Sequence, residues 1–323
     1  MPSPSTTLAS QRPDLASSFE EFDIEMQISQ FGAMRLAPVI ECGAQAGNFG
    51  KIPIAQLAKT RDTKRSSGGA YNRGGFKFDP VTYSTEEHGV EEPIDRREAA
   101  MYADYFDAEL VASRRARWAV MANYEQRVCD LCSSTTTWTG ASLTTAVSTP
   151  WSTVATATPI ADIRAAKLKV RDAGGAIPNA LVVSWKRFQT LKDCAEIIDR
   201  VKYAGFQDPT RRAITAEALA AVFDLDMVIV MGGVKDAAVE GAAFSGSGFW
   251  DDTKALVCKV AMTTDPREVC VARTFHWSAD GSQVGGTLES YYDETVRSDV
   301  IRCRMETDEK VMYAAAAHLL TSV

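Results

Sequence analysis

Between Ile94 and Thr139 the chain contains neither glycine nor proline. Pro93 stands just before this stretch, where a first helical position tolerates it, because the missing N–H would have no intrahelical partner there. Good helix formers follow at Arg96, Arg97, Glu98, Ala99, Ala100 and Met101, and the Ser133–Thr137 run closes the pattern. The spacing predicts a helix from Ile94 to Cys132, roughly 58 Å long at about 1.5 Å per residue. That exceeds what one compact core requires, so the helix reads as a strut or an interface rather than a pocket wall. An apolar stripe runs through Tyr102, Phe106, Leu110, Trp118, Met121, Val128 and Leu131 and reads as core. The polar side changes sign from Asp104, Asp107 and Glu109 to Arg114, Arg115 and Arg117. Those arginines suit i,i+4 pairing, a solvated face or a contact with another subunit.

A chain of 323 residues, 46% hydrophobic and 24% charged, can bury an ordered core of one or two lobes. Its net charge of −7 argues against a strongly attractive nucleic-acid surface. The cysteines Cys42, Cys129, Cys132, Cys194, Cys258, Cys270 and Cys303 are odd in number and scattered. Asn-x-Ser/Thr does not occur, and Met1-Pro2-Ser3-Pro4 is unlike an export signal, so folding in a reducing cytosol is expected. No membrane span is expected, since the longest apolar stretch, Ile214–Met231, contains Glu217, Asp224 and Asp226.

Residues 1–48 read as an N-terminal arm, polar at first, then mixed over Phe19–Met34, with a loop at Gly43–Gly50. The first 20 residues are rich in Ser, Thr, Pro and Gln, a composition that orders only on an outside surface, most simply a neighbouring subunit. Residues 49–93 read as an extended two-stranded loop, with Gly68-Gly69 and Gly74-Gly75 between strand-like ends at Lys51–Leu57 and Phe76–Tyr83. An isolated hairpin of that length needs a surface to lie on. Its charge is divided. Lys51, Lys59, Arg61, Lys64, Arg65, Arg73 and Lys77 stand against Asp62 alone, whereas Asp79, Glu86, Glu87, Glu91, Glu92 and Asp95 follow without a single Lys or Arg. Either this is a solvated loop, or a basic arm docks on an acidic patch of the next copy, with complementarity setting the register.

Ser133–Thr158 reads as β structure and loop, and a regular α/β region follows. Ile160–Ala173 is an amphipathic helix stopped by Gly174-Gly175. Pro178-Asn179 leads into a strand at Ala180–Ser184 and a helical Lys186–Tyr203; Thr215 caps Ala216–Phe223, and Met227–Met231 is a buried strand. A Gly-, Ser- and Ala-rich loop over Val234–Asp252 precedes strands at Ala255–Ala261, Val269–Trp277 and Asp299–Met305, then an apolar end at Val311–Leu320.

Chemistry is sparse. Cys129 and Cys132 lie at i,i+3 on a helix end, with no second ligand pair for zinc and no helix N-terminus for a redox dithiol, so ordinary packing is expected. His88, His276 and His318 are far apart, and neither Gly-x-Ser-x-Gly nor a phosphate-loop motif occurs. Ser245-Gly246-Ser247-Gly248 reads as a flexible turn. No catalytic residue, metal or cofactor is expected, which disfavours a cytosolic α/β enzyme.

The order of parts resembles the major capsid protein of tailed bacteriophages, the Hong Kong 97-type fold, over nearly the whole chain. The resemblance rests on Pro159-Ile160-Ala161-Asp162-Ile163 through Gly174-Gly175-Ala176-Ile177-Pro178-Asn179-Ala180-Leu181-Val182-Val183, on Phe188–Lys192 continuing to Lys202, and on Ser298–Thr307 followed by Val311–Val323. It is one of pattern and order, without a chemical signature motif. It implies a mixed α+β fold: an N-terminal arm, an extended β-hairpin loop over 49–93, a spine helix over 94–132, a peripheral lobe from 94–154 and 266–323, and an axial α/β lobe over 155–265. Val234–Asp252 would lie near the centre of a capsomer.

The resemblance further implies self-assembly into pentamers and hexamers, through heterologous contacts, as an icosahedral shell around double-stranded DNA in the virion. A cellular nanocompartment of the encapsulin kind, with protein cargo, is the alternative. Implied partners are a separate scaffolding protein, a portal protein, in some shells a decoration protein, and packaged DNA held by weak contacts, all without a membrane, in the bacterial host cytoplasm. Candidate inter-subunit contacts are Lys59, Arg61, Lys64, Arg65, Arg73, Lys77, Glu86, Glu87, Glu91, Glu92, Arg114, Arg115 and Arg117. Some relatives weld subunits through a Lys–Asn isopeptide bond near the C-terminal end. Here no asparagine follows Asn179, so a non-covalent shell is expected.

Overall fold

The computed structural model describes residues 23–75, 77, 79–102, 107–203 and 214–323. The expected polar start of the arm, the side chains of Tyr102, Asp104 and Phe106, and Phe76 and Phe78 lie outside the described residues and side chains. The chain opens with α1 (Ile24–Ser29) and α2 (Ala33–Leu36), then β1 (Val39–Cys42), β2 (Ala46–Lys51), α3 (Ile54–Leu57), β3 (Asp79–Ser84) and β4 (Glu86–Asp95). Helices α4 (Arg96–Tyr102) and α5 (Ala108–Ser133) follow, then β5 (Thr144–Ala146), α6 (Pro159–Gly174), β6 (Ala180–Ser184), α7 (Trp185–Asp193), α8 (Ala195–Tyr203) and α9 (Ala216–Phe223). The remainder is strand: β7 (Met227–Met231), β8 (Val234–Asp236), β9 (Gly246–Gly248), β10 (Lys254–Cys258), β11 (Ala272–Trp277), β12 (Thr287–Asp293), β13 (Ser298–Val311) and, after a 3₁₀ turn, β14 (Ala317–Thr321).

One sheet has the order β5-β14-β10-β6-β7. β6 pairs antiparallel with β10 and parallel with β7. All five β6 residues are buried, and strand alternation divides them between two cores. Leu181 and Val183 join Ile163, Leu191, Ile197, Leu219 and Phe223 on the helical side. Ala180 and Val182 join Val120, Tyr124, Val128, Cys129 and Cys132 of α5 on the other. A strand covered on both faces reads as an unbroken apolar run, as Ala-Leu-Val-Val does. The helix signals hold as well: Thr215 accepts the Ala218 N–H at 3.2 Å, and Gly175 terminates α6 at φ +64°, a left-handed conformation that favours glycine. Lys186–Tyr203, expected as one helix, is two, because Cys194 is extended and the Ala195 N–H donates to Val154. Ala317–Thr321, expected in the lobe with the spine, instead returns to pair with β10 and β5.

The second sheet is arranged around β13. Its first ten residues pair with β4, those at 298–304 also with β12, and those at 307–311 with β11. β1 adds parallel to β11. This ladder corrects the long helix. Pro93 and Ile94 are strand residues opposite Val300 and Asp299, on a strand that pairs on one side only among the described residues, where proline is tolerated. Two aspartates then set two helix starts: Asp95 accepts the Arg97 N–H at 2.7 Å, and Asp107 accepts those of Glu109 and Leu110 at 3.0 and 3.3 Å. The spine proper is therefore α5, with 26 residues and a length of roughly 39 Å. Its buried face includes Ala112, Ala116, Val120, Met121, Tyr124, Glu125, Val128, Cys129 and Cys132, whereas Leu110 is exposed and Trp118 half-buried.

Candidate assembly surfaces

The extended loop has a clamped base and a bare tip. At the base β2 and β3 pair from Ala46↔Ser84 to Lys51↔Asp79. Phe49 and Tyr83 flank Phe275 of β11 with ring centroids 5.5 and 4.9 Å away, the Tyr83 ring stacked on it. Lys51 Nζ donates to the Met312 carbonyl at 2.8 Å and lies over the Tyr313 ring, and burial pulls its pKa below the ordinary lysine value. The Ser84 N–H donates to Asp308 at 2.9 Å, and the Thr85 hydroxyl to Glu306 at 2.8 Å. The hairpin's surface is thus the far end of β13 together with β11. The strands are not those expected: Ile54–Leu57 is a helical turn following Pro53.

Beyond Lys51 the tip carries Lys59, Arg61, Lys64, Arg65, Arg73 and Lys77, all exposed. Among the described residues no carboxylate lies within ion-pairing distance of any of them. The two limbs of the tip are nevertheless fixed to one another. Arg61 donates to the Gly75 carbonyl at 3.1 Å, Asn72 to the Asp62 carbonyl at 2.9 Å, and the Lys77 N–H to Gln56 at 2.7 Å. Arg65 donates to the Gly69 carbonyl at 2.7 Å and stacks over Tyr71. Gly74 leaves the space in which the Arg61 guanidinium crosses, since a Cβ there would overlap it. Lys59, Arg61, Arg73 and Lys77 consequently line one open concavity of 780 Å³.

The remaining candidates lie elsewhere and are differently engaged. Glu91 of β4 accepts from Arg302 Nε at 2.7 Å, and Glu92 pairs with Arg115 at 3.4 Å. Arg114 faces Glu25 at 3.7 Å, and Arg117 donates to the Gly285 carbonyl at 3.3 Å. Glu86 and Glu87, at the β4 end nearest the loop base, are exposed and have no cation partner among the described residues. The structure thus brings four tip cations together and leaves the acidic strand partly paired within the subunit.

Sequence reasoning missed the pairs that brace β13. Arg127 of α5 holds Glu309 through two bonds of 2.9 Å and Thr307 at 3.0 Å. Arg304 is held by Asp280 and by Glu289, the latter at 2.9 Å. Such partners lie 15 to 182 residues apart, and no local pattern announces them. The Cys129-x-x-Cys132 motif is packing in the core: both thiols are free and buried, and burial pushes Cys132 up to about 12 and Cys129 well above its ordinary value. Among the described residues no group of three or more His, Cys, Asp or Glu is placed to hold a metal, and no helix is long and apolar enough to cross a membrane.

No family model matches the chain. A curated relative, the major capsid protein of Burkholderia phage BcepMu, is 26% identical over 205 residues, 62% of this chain and 64% of that protein. The match therefore spans under two thirds of the relative's length. Many solved structures share the architecture, among them the following three. A phage-related protein from Bordetella bronchiseptica RB50 superposes with a TM-score of 0.65 at 19% identity, over 93% of this chain and 96% of that one. The mature capsid of bacteriophage PhiM1 gives 0.57 at 14% identity, over 94% and 89%. The SrpI encapsulin of Synechococcus elongatus PCC 7942 gives 0.52 at 11% identity, over 95% and 92%. The fold is the mixed α/β fold of phage capsid proteins, of the Hong Kong 97 type.

Proposed function

We propose that this chain is the structural subunit of a tailed-phage capsid, assembling with copies of itself into pentamers and hexamers of an icosahedral shell around double-stranded DNA. The sequence relationship to a phage major capsid protein, on a fold matched across nearly the whole chain, carries the reading. In the shell, 49–93 is the extended loop, 94–154 and 266–323 the peripheral lobe, and 155–265 the axial lobe, supplemented by β5 and β14, which pair into its sheet. The subunit's role is structural rather than enzymatic, and its place is the virion, assembled in the bacterial cytoplasm. A separate scaffolding protein and a portal protein are the further partners, with a decoration protein in some shells of this kind, and net charge −7 suits weak, salt-screened contact with packaged DNA.

Charge supports the self-contact. Seven bases against one acid give residues 51–78 a charge of +6, which leaves −13 on the rest of a chain whose total is −7. A cationic projection on an anionic body finds its complement on another copy, and such pairing sets register and encounter rate. Negative-stain microscopy of the purified chain, alone and with its scaffold, is the direct test. Shells support the reading, small particles loaded with protein favour a nanocompartment, and persistent monomers with a bound small molecule overturn both. A boiled, reduced denaturing gel of mature particles should give one band; a ladder would refute the non-covalent shell.

A further inference from the structure

Residues 23–37 cross from the spine to the loop at 232–249. The Gly232 N–H donates to the Gln30 carbonyl at 3.2 Å, the Val234 N–H to Gln27 Oε1 at 3.3 Å, and Phe31 meets Phe249 edge-on at 5.6 Å. On the spine side, Ala33, Leu36 and Ala37 are buried in the α5 core. Besides the surface Glu25–Arg114 pair at 3.7 Å, a polar link there is Glu125, fully buried, whose two oxygens accept the N–H groups of Gly32 and Ala33 at 3.0 and 2.8 Å. A buried carboxylate ordinarily has a cation beside it, because desolvating the charge is costly. Here, among the described residues, no basic group reaches it. Its titratable neighbours are Tyr124 and Cys129 on its own helix, the first turned to Thr274 at 2.7 Å and the second a buried thiol. Lys235 of β8 is engaged by Gln126 and interacts electrostatically with Cys129 rather than Glu125. Around Gly32, β7 contributes apolar Ile229 and Met231, which leaves the two N–H groups as the carboxylate's support.

We propose that Glu125 makes the docking of residues 23–37 on the spine proton-coupled, so that its carboxylate takes up a proton when the segment docks and the segment is released more readily as pH rises. Burial raises the Glu125 pKa to about 7, against the lowering effect of the two N–H groups, whereas release would return it toward the ordinary glutamate value. The docked state therefore binds the proton more tightly. Docking is strongest when the carboxyl is neutral and weakens as pH rises toward and past 7. By linkage, release becomes roughly tenfold easier between pH 6 and pH 9, with most of the change complete by pH 8.

The test is amide hydrogen exchange of residues 23–37 in the full chain from pH 6 to pH 9. Each rate is divided by the intrinsic chemical rate at its pH, with β6 as the internal control. The wild type should show the tenfold rise in opening over 23–37 and none in β6. Glu125→Gln, which cannot ionise, should flatten the slope even where the amide fills only one of the two N–H groups and raises opening at every pH. A flat wild-type profile overturns the proposal, as does an equal slope in Glu125→Gln. Should Glu125→Gln fail to fold, the wild-type comparison of 23–37 with β6 decides alone.

Discussion

The sheet built on β6 and the tip of the extended loop are opposites in how they meet their own needs. Leu181 and Val182 are completely buried, one on each face, and every neighbour they require lies in the same chain. The tip cations are exposed, mutually arranged, and lack carboxylate partners among the described residues. Free energy of folding is concentrated in the first region, and the second is shaped without contributing to it. Stability of the subunit and competence for assembly should accordingly be separable by mutation.

The largest effect on the subunit should come from Leu181→Ala, which opens a cavity between the sheet and its helices and should cost about 2–5 kcal/mol in urea unfolding of the monomer. A cost below about 1 kcal/mol would mean that the doubly covered sheet is not where stability resides. Arg127→Ala comes next. It strips two bonds from Glu309, whose side chain is only 8% exposed, and should cost about 2 kcal/mol by the same measurement.

A pH effect follows at the loop base. His276 is buried beside Phe275, one ring nitrogen lacks a partner among the described residues, and burial holds its pKa below the ordinary value. The unfolded chain then binds the proton more readily than the fold, so this contribution is intact above about pH 6.5 and is lost as pH falls below it. His276→Gln should lose less thermal stability than the wild type between pH 7 and pH 5, and equal losses would remove the histidine from the account. Glu125 acts in the opposite sense, so the comparison belongs in matched pairs at each pH. The smallest effect on the monomer should be that of Arg61→Glu with Lys64→Glu: below about 0.5 kcal/mol in stability, with a clear fall in particle yield. Unchanged yield would break the contrast between the two regions.

What could be read in advance follows the same division. Strands β6 and β7, helix α9 with its Thr215 cap and helix α6 with its Gly175 stop announce themselves through local runs and end signals. The start of the spine does not. A proline before a run of helix formers is a good helix start, yet cross-strand pairing of Glu86–Asp95 with β13 overrides it, and Asp107 begins the helix again. The six tip cations are legible because charge clusters along the chain. The pairing of Glu91 with Arg302, 211 residues away, is not, because only the fold brings the two together.

Strand β14 has a consequence in time. It is the last strand of its sheet in chain order, yet it lies inside that sheet, between β5 and β10. During synthesis β10, β6 and β7 emerge first, and the open edge of β10 has no partner until residue 321 has left the ribosome. Such an edge is a template for any other strand in reach. The subunit therefore passes through an adhesive interval that residues 317–321 close, and translation slowed just before residue 317 should raise aggregation more than a pause anywhere upstream of β10.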